Sequence, residues 1–323
     1  MTYMNKAKIS VVGCGYWGKN FVRNFAGLGN LESICDENQE CLKSISNQYQ
    51  VPIRTFDQII KSDVDGIVIS APPAHHYRLA RKSLEAGKHV FVEKPLTMNV
   101  EHAQKLQKVS LQTGKVLMVG HLLQYHPAFL KLKELINQGK LGRIHHIYSY
   151  RVNLGSFRHK ENVFWDLAPH DISMILSLTN DLPEKVYTRG SCNYNPFIYD
   201  TILADLSFKN GIKAHIFVSW LHSLKEQRFV VVGEHGMAVF DDCLPWTEKL
   251  KIYPHEINFI NELVHFSKAD VETIPLEDAE PLKLECQHFI KCIQNNQKSI
   301  TDGFEGIQVL KVLEAVQQRL DIM

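Results

Sequence analysis

The chain predicts an α/β protein in two parts: a parallel sheet first, then an α+β domain built on a large, mostly antiparallel open sheet. Three observations predict it. Short β-branched runs alternate with amphipathic runs over residues 8–119, the pattern of strands crossed over by helices. The first of these runs ends in Gly13-Cys14-Gly15-Tyr16-Trp17-Gly18, spaced G-x-G-x-x-G. Beyond residue 120 the period lengthens into strand pairs joined by hairpin signals, with Asn210-Gly211 the strongest. At 323 residues, two domains are expected, 1–120 and 121–323.

The opening run Lys8 to Val12 reads as a strand, and Phe21, Phe25 and Leu28 mark one face of the helix that follows. A glycine triplet placed between strand and helix binds a dinucleotide. Gly13 makes the turn, Gly15 lets a pyrophosphate approach the backbone, and Gly18 lets helix and strand pack closely. The helix start presents free N–H groups to the phosphates, with Tyr16 and Trp17 between the glycines. A second strand, Leu31 to Cys35, ends in Asp36, 23 residues after Gly13. A carboxylate there suits the ribose 2′-hydroxyl and repels a 2′-phosphate, so NAD is expected rather than NADP. Asp36 also reads as the cap of the next helix, which runs to about Tyr49.

Val51 to Ile53 reads as a short edge strand, residues 56–62 as a helix, and Asp65 to Ser70 as a buried parallel strand. Helices are expected at 74–86 and 99–113, closed by Gly87 and Gly114. Strands are expected from Lys88 to Val92 and from Val116 to Val119. In such a sheet ligands bind outside the carboxyl ends of the strands. Three loops meet that condition: the glycine loop, the stretch from Ala71 and Pro72 to His75, and Glu93-Lys94-Pro95. Ser10 is expected near the same crevice. Lys94, directly after a core strand and held before proline in a bond expected to be cis, is a candidate catalytic lysine; the alternative is a surface ion pair.

In the second part a helix is expected at about 127–138, then a long strand from Arg143 to Val152. A helix is expected from Asp166 to Leu178, with strands near 184–194, 200–208 and 212–221. Phe229 to Gly233 and Met237 to Phe240 form a hairpin, and helices at about 279–296 and 304–321 close the chain. Asp166 and His170 stand four apart and would share a helix face, so the carboxylate could set the imidazole's tautomer for base work. Pro169 belongs in a first turn, which would make Asp166 a cap near the helix start. Both readings stay open. Tyr148, Arg151, Asn153 and Arg158 lie on or after the first long strand and are candidate substrate contacts. Tyr125, His126 and Trp165 join them.

A net charge of +1, with 45% apolar and 22% charged residues, gives no nucleic-acid or membrane footprint. Seven scattered cysteines without a C-x-x-C pair read as reduced thiols of a cytoplasmic protein, and Cys14 and Cys35 as packing residues. The strand starting at residue 8 leaves no room for a signal peptide. No metal-ligand spacing and no G-x-S-x-G elbow is present.

The glycine loop, the Glu93-Lys94-Pro95 turn and the Asp166-x-x-x-His170 pair together resemble the Gfo/Idh/MocA oxidoreductases over essentially the whole chain. That resemblance implies a Rossmann domain followed by an open-sheet α+β domain. It implies hydride transfer between a sugar or polyol carbon and an NAD(P) that stays bound, with Lys94 and His170 flanking the hydroxyl and Asp166 nearby. It also implies a homodimer or homotetramer through the second domain's sheet. Gly-Tyr-Trp-Gly-Lys-Asn and Trp-Asp-Leu-Ala-Pro-His-Asp are closer to a bacterial subgroup that resembles nucleotide-sugar dehydrogenases of surface-polysaccharide pathways. Those oxidise a UDP-N-acetylhexosamine or its uronic acid at C3. The alternatives are a dehydrogenase of inositol, a free sugar or a sugar phosphate, and a non-catalytic dinucleotide sensor. The stretches Val163-Phe164-Trp165 and His121 to Tyr125 depart from the family's usual pattern, so substrate contacts from those positions do not carry over.

Overall fold

The structure is a computed structural model and describes residues 6–155, 157–159, 161–260 and 262–320. Five strands and five helices open the described chain, alternating except where the third helix follows the second directly. They are β1 (Ile9–Val12), α1 (Gly18–Gly27), β2 (Leu31–Cys35), α2 (Gln39–Tyr49), α3 (Phe56–Lys61), β3 (Gly66–Ile69), α4 (Pro73–Glu85), β4 (His89–Val92), α5 (Val100–Thr113) and β5 (Leu117–Val119). The five strands form one parallel sheet in the order β2-β1-β3-β4-β5. β1, β3, β4 and β5 are buried throughout, which is why they read as unbroken apolar runs.

Two expectations change here. Val51 to Ile53 makes only a single bridge, Ile53 to Ile34, because Pro52 has no N–H to continue a ladder. Asp36 does not cap α2. Asn38 does, its side chain accepting from the Cys41 N–H at 3.0 Å.

The second set is α6 (Pro127–Asn137), β6 (Ile144–Leu154), α7 (Val163–Leu167), α8 (Pro169–Thr179), β7 (Lys185–Ser191), β8 (Thr201–Ser207), β9 (Lys213–Ser219), β10 (Leu221–Gly233), β11 (Gly236–Asp241), β12 (Leu250–Ile260), β13 (Leu263–Lys268) and β14 (Glu272–Thr273). They build a sheet ordered β13-β12-β11-β10-β6-β9-β8-β7, with β14 paired to β12. All its pairings are antiparallel except β6 with β9. The Asn210-Gly211 turn joins β8 to β9, with Gly211 at φ +89°. Helices α9 (Pro281–Asn295) and α10 (Gly303–Leu320) end the described chain; residue 321 of the expected last helix lies outside it.

The chain divides into two compact units, 1–125 with 280–310, and 126–279 with 311–323. The expected boundary at 120 therefore moves, and α9 belongs with the first unit. The reason is packing. Leu282, Cys286, Phe289 and Ile290 of α9 sit in one core with Phe21, Phe25, Phe91 and Met118. Phe289 meets Phe91 edge-on at 5.6 Å. Glu280, at the start of α9, accepts from Arg23 and from the Asn24 amide at 3.0 Å.

Candidate active site

The first unit builds its site from backbone. β1 lies between β2 and β3, so the strand order turns there, and the loops after β1 and β3 face the crevice such a turn creates. Gly13 has φ +89°, and a Cβ on it would lie 2.5 Å from the backbone of Ser70 and Ala71. A Cβ on Gly18 would lie 1.9 Å from the Gly13 carbonyl oxygen. Both positions are closed by packing. Gly15 differs: a Cβ there meets nothing within 4 Å. Packing does not demand glycine at that position, but a phosphate resting on the backbone would.

Asp36 stands at the end of β2, where its carboxylate accepts from the Cys14 N–H at 2.5 Å and from the Asn38 N–H at 2.8 Å. The acid expected for a ribose is thus tied to the glycine loop. These residues fit a dinucleotide: a loop closed on two sides, open at Gly15, with a fixed carboxylate beside it. Cys14 is buried, and burial together with Asp36 pushes its thiol up to about 12. Burial also raises Cys35. Both are packing groups, as expected.

Ala71, Pro72 and His75 lie at the start of α4, with Pro72 and His75 exposed. Ser10 is not with them; it is fully buried and its hydroxyl meets Ser33 Oγ at 2.6 Å. No sequence motif marks the neighbouring His76. It is buried, with Nδ1 2.8 Å from the Pro95 carbonyl and Nε2 2.7 Å from the Ala71 carbonyl. It therefore joins two of the three crevice loops. Burial lowers its pKa against the pull of both carbonyls, and a neutral ring can donate to only one of them.

The Glu93-Lys94-Pro95 turn follows β4, and its Lys94–Pro95 peptide is cis, as expected. Glu93 Oε1 accepts from the Trp17 indole N–H at 2.6 Å, and Oε2 from the Lys94 N–H at 3.0 Å. The glycine loop and the lysine loop are thereby pinned to each other. Burial raises the Glu93 carboxyl, opposed by the Lys94 charge and the Trp17 donor. Glu285 of α9 is completely buried with neither oxygen hydrogen-bonded. Burial, and then the charge of Glu93, raise it well above the ordinary range. No motif announces Glu285, which sits on a helix 190 residues from the loop its charge reaches. Tyr16 is 88% exposed. Tyr125 is 3% exposed, its hydroxyl engaged with Thr301 at 2.9 Å and Ser299 at 3.2 Å. It is a core residue, not a substrate contact.

The second unit builds its site from side chains. Asp166 and His170 do not share one helix. α7 ends at Leu167 and α8 begins at Pro169, whose missing N–H is harmless at a first turn. Nor does Asp166 cap: Asn162 caps α7, accepting from Phe164 at 3.0 Å and Trp165 at 3.2 Å. Asp166 Oδ1 accepts from Arg158 Nε–H at 3.1 Å, and Oδ2 from the Trp220 indole N–H at 3.1 Å. His170, half-buried, occupies the second position of α8. Trp165 is half-buried on α7.

Strand alternation divides the candidates of β6. Arg151 is buried and holds Asp171 of α8, Nε to Oδ2 at 2.6 Å and a second nitrogen to Oδ1 at 3.1 Å; Ser149 adds a bond at 2.7 Å. Arg151 is thus a structural ion-pair member rather than a substrate contact. Asn153 shares that parity and is half-buried. Tyr148 points to the other face, among His146, Tyr150, His215 and Phe217. His126 is buried, accepting from the Ala128 N–H and meeting Asp242 at 3.3 Å. It too is removed from the candidate contacts. Among the described residues no cluster of three or more His, Cys, Asp or Glu could hold a metal ion. No helix among them is long and apolar enough to cross a membrane.

A parallel sheet with a glycine cradle, a carboxylate tied beside it and a lysine turn fits a dinucleotide-dependent oxidoreductase. The chain belongs to the Gfo/Idh/MocA oxidoreductases: residues 7–121 match the oxidoreductase family with an NAD-binding Rossmann fold, and residues 129–239 match the GFO/IDH/MocA C-terminal domain. It is an NAD-binding oxidoreductase. It is 26% identical over 327 residues to the oxidoreductase YrbE of Bacillus subtilis, covering 96% of this chain and 93% of that one. It is 24% identical over 331 residues to the UDP-N-acetylglucosamine 3-dehydrogenase of Acidithiobacillus ferrooxidans, with 98% and 97% covered. A solved structure of that enzyme, GnnA, superposes with a TM-score of 0.85 over 98% of this chain and 97% of its own. The scyllo-inositol dehydrogenase of Lactobacillus casei, solved with NAD(H) and scyllo-inositol, superposes at 0.80 with 22% identity, covering 98% and 97%.

Proposed function

We propose that this chain oxidises a secondary hydroxyl of a UDP-sugar at C3, with NAD as the acceptor, in the making of a surface polysaccharide. The observation that carries the dehydrogenase chemistry is the cradle itself: Gly13 and Gly18 closed by packing, Gly15 open, Asp36 tied beside them. The full-length likeness to UDP-N-acetylglucosamine 3-dehydrogenase supports the substrate. Inositol dehydrogenases also align over most of the chain, so inositol is the second reading.

Bound nicotinamide supplies the acceptor for the hydride leaving the carbinol carbon. In this reading His170 takes the hydroxyl proton, and Lys94 donates to the same oxygen as negative charge develops on it. Asp166, held by Trp220 and Arg158, keeps its carboxylate in one orientation near the base. Glu93 fixes the backbone of Lys94 against Trp17. The half-exposed face of the second sheet, rich in Tyr148, Tyr150 and Phe217, supports pairing with a second copy of the chain. The seven free cysteines suit a reducing compartment such as the cytoplasm.

The test is a single-turnover assay of nicotinamide reduction at enzyme excess over NAD, with UDP-N-acetylglucosamine, its uronic acid, free hexoses and myo-inositol. A burst with one UDP-sugar is expected. A burst with inositol alone would replace this reading by the second.

A further inference from the structure

Beside Asp166 the second unit carries aromatic rings in solvent. Phe157 is 40% exposed, Tyr194 78% and Phe197 90%. Phe157 meets Trp220 at a centroid distance of 5.6 Å and Tyr194 at 5.7 Å, both at steep angles. Trp220, 1% exposed, gives its indole N–H to Asp166. Rings therefore run without a break from a candidate catalytic carboxylate out to water.

The loop that carries Tyr194 is firmly held. Asp200, 2% exposed, accepts from the Asn193 N–H at 2.6 Å, the Tyr194 N–H at 3.1 Å and the Asn193 amide at 2.8 Å. Its carbonyl accepts from the Trp220 N–H at 3.0 Å. Asn195 Oδ1 accepts from the Phe197 N–H at 2.9 Å. A buried carboxylate is thus committed to a loop whose ring packs on little of its own unit. Preorganised aromatic faces of this kind bind planar groups by stacking. Arg158, next in sequence to Phe157, has a half-exposed side chain and donates its Nε–H to Asp166 Oδ1 at 3.1 Å, with a terminal nitrogen 3.0 Å from the same oxygen. It retains donors for a diphosphate.

We propose that the exposed ring of Tyr194, braced edge-on by Phe157, stacks on the nucleobase of a nucleoside-diphosphate sugar, with Arg158 toward the diphosphate, and so selects nucleotide sugars over free polyols. This rests on the reading that the substrate is a UDP-sugar and names the residues that would recognise its nucleoside end. A six-carbon polyol has no planar face to stack on that ring. Its affinity would be indifferent to Tyr194.

The experiment compares wild type, Tyr194→Ala and Tyr194→Phe in the full chain. UDP binding is followed by calorimetry, and oxidation of UDP-N-acetylglucosamine at steady state. Tyr194→Ala is expected to weaken UDP about tenfold and to raise KM more than it lowers kcat, with NADH affinity unmoved. Tyr194→Phe keeps the ring and should restore UDP binding. Equal UDP affinity in wild type and Tyr194→Ala, with UDP-sugar still oxidised, overturns the stacking role of Tyr194 and leaves the substrate reading standing. A wild type that binds no UDP and oxidises only polyols overturns both.

Discussion

The two candidate regions are made of different material. The cradle of the first unit is backbone: a turn at Gly13, an approach at Gly15, a close helix at Gly18, and strand ends in fixed order. The region around Asp166 is side chain: one carboxylate held by Arg158, eight residues before it, and by Trp220, 54 residues after it. A backbone site needs particular residues at consecutive positions, whereas a side-chain site needs only that the fold bring distant residues together. The two should therefore fail differently when disturbed.

The largest effect is expected at Gly13. Valine there requires φ +89° from a β-branched residue and a Cβ 2.5 Å from backbone, which costs more than about 4 kcal/mol. Urea unfolding should show the first unit lost together with NADH binding. If Gly13→Val folded and bound NADH normally, the cradle would not be a backbone site. Next is Asp171→Ala, which leaves Arg151 buried without its carboxylate. A loss of about 3–5 kcal/mol is expected, with NADH affinity retained by the protein that remains folded. A loss below about 1 kcal/mol would mean the pair is solvated.

The first unit also predicts a pH effect. His89 is buried, accepts from the Val116 N–H at 3.1 Å, and is pushed down to about 4 by burial and then by Lys115. Its folded pKa is below the unfolded value of about 6.5. Its contribution is therefore complete above pH 6.5 and lost as pH falls through about 4. His89→Gln should flatten the urea midpoint across that window, and an unchanged slope would assign the acid sensitivity elsewhere. The smallest effect belongs to Asp36→Ala: a several-fold fall in the preference for NAD over NADP, read from paired KM values. An unchanged ratio would leave Asp36 as an anchor for the Cys14 and Asn38 amides alone.

Legibility in the sequence follows the same division. β1 to β5, the glycine cradle and Asp36 were all visible, because each is set by a local pattern. Val51 to Ile53 reads as a strand although it makes only one bridge, because a single bridge and a ladder share the same apolar residues. The domain boundary was missed because α9 packs on Phe91 from 190 residues away, and no local feature of α9 says which core it joins. Tyr148 and Arg151 lie close along β6, but period-two alternation places them on opposite faces. Tyr125, His126 and Arg151 looked like substrate contacts because polar side chains do not announce whether their partners are protein or ligand. Asn38 caps where Asp36 is expected, a shift of two residues among good capping types, while α8, where Asp166 is expected, has Ala168 at its start and no side-chain cap. His76, Glu285 and the Trp220–Asp166 bond carry no motif at all.

The most direct test of the hydride-transfer reading is a single-turnover comparison of wild type with Lys94→Ala and His170→Ala, with NADH affinity measured on the same preparations. Each variant is expected to slow nicotinamide reduction at least about 100-fold while NADH binds as before. Near wild-type rates in both variants would contradict the assignment of proton and charge handling to these two residues.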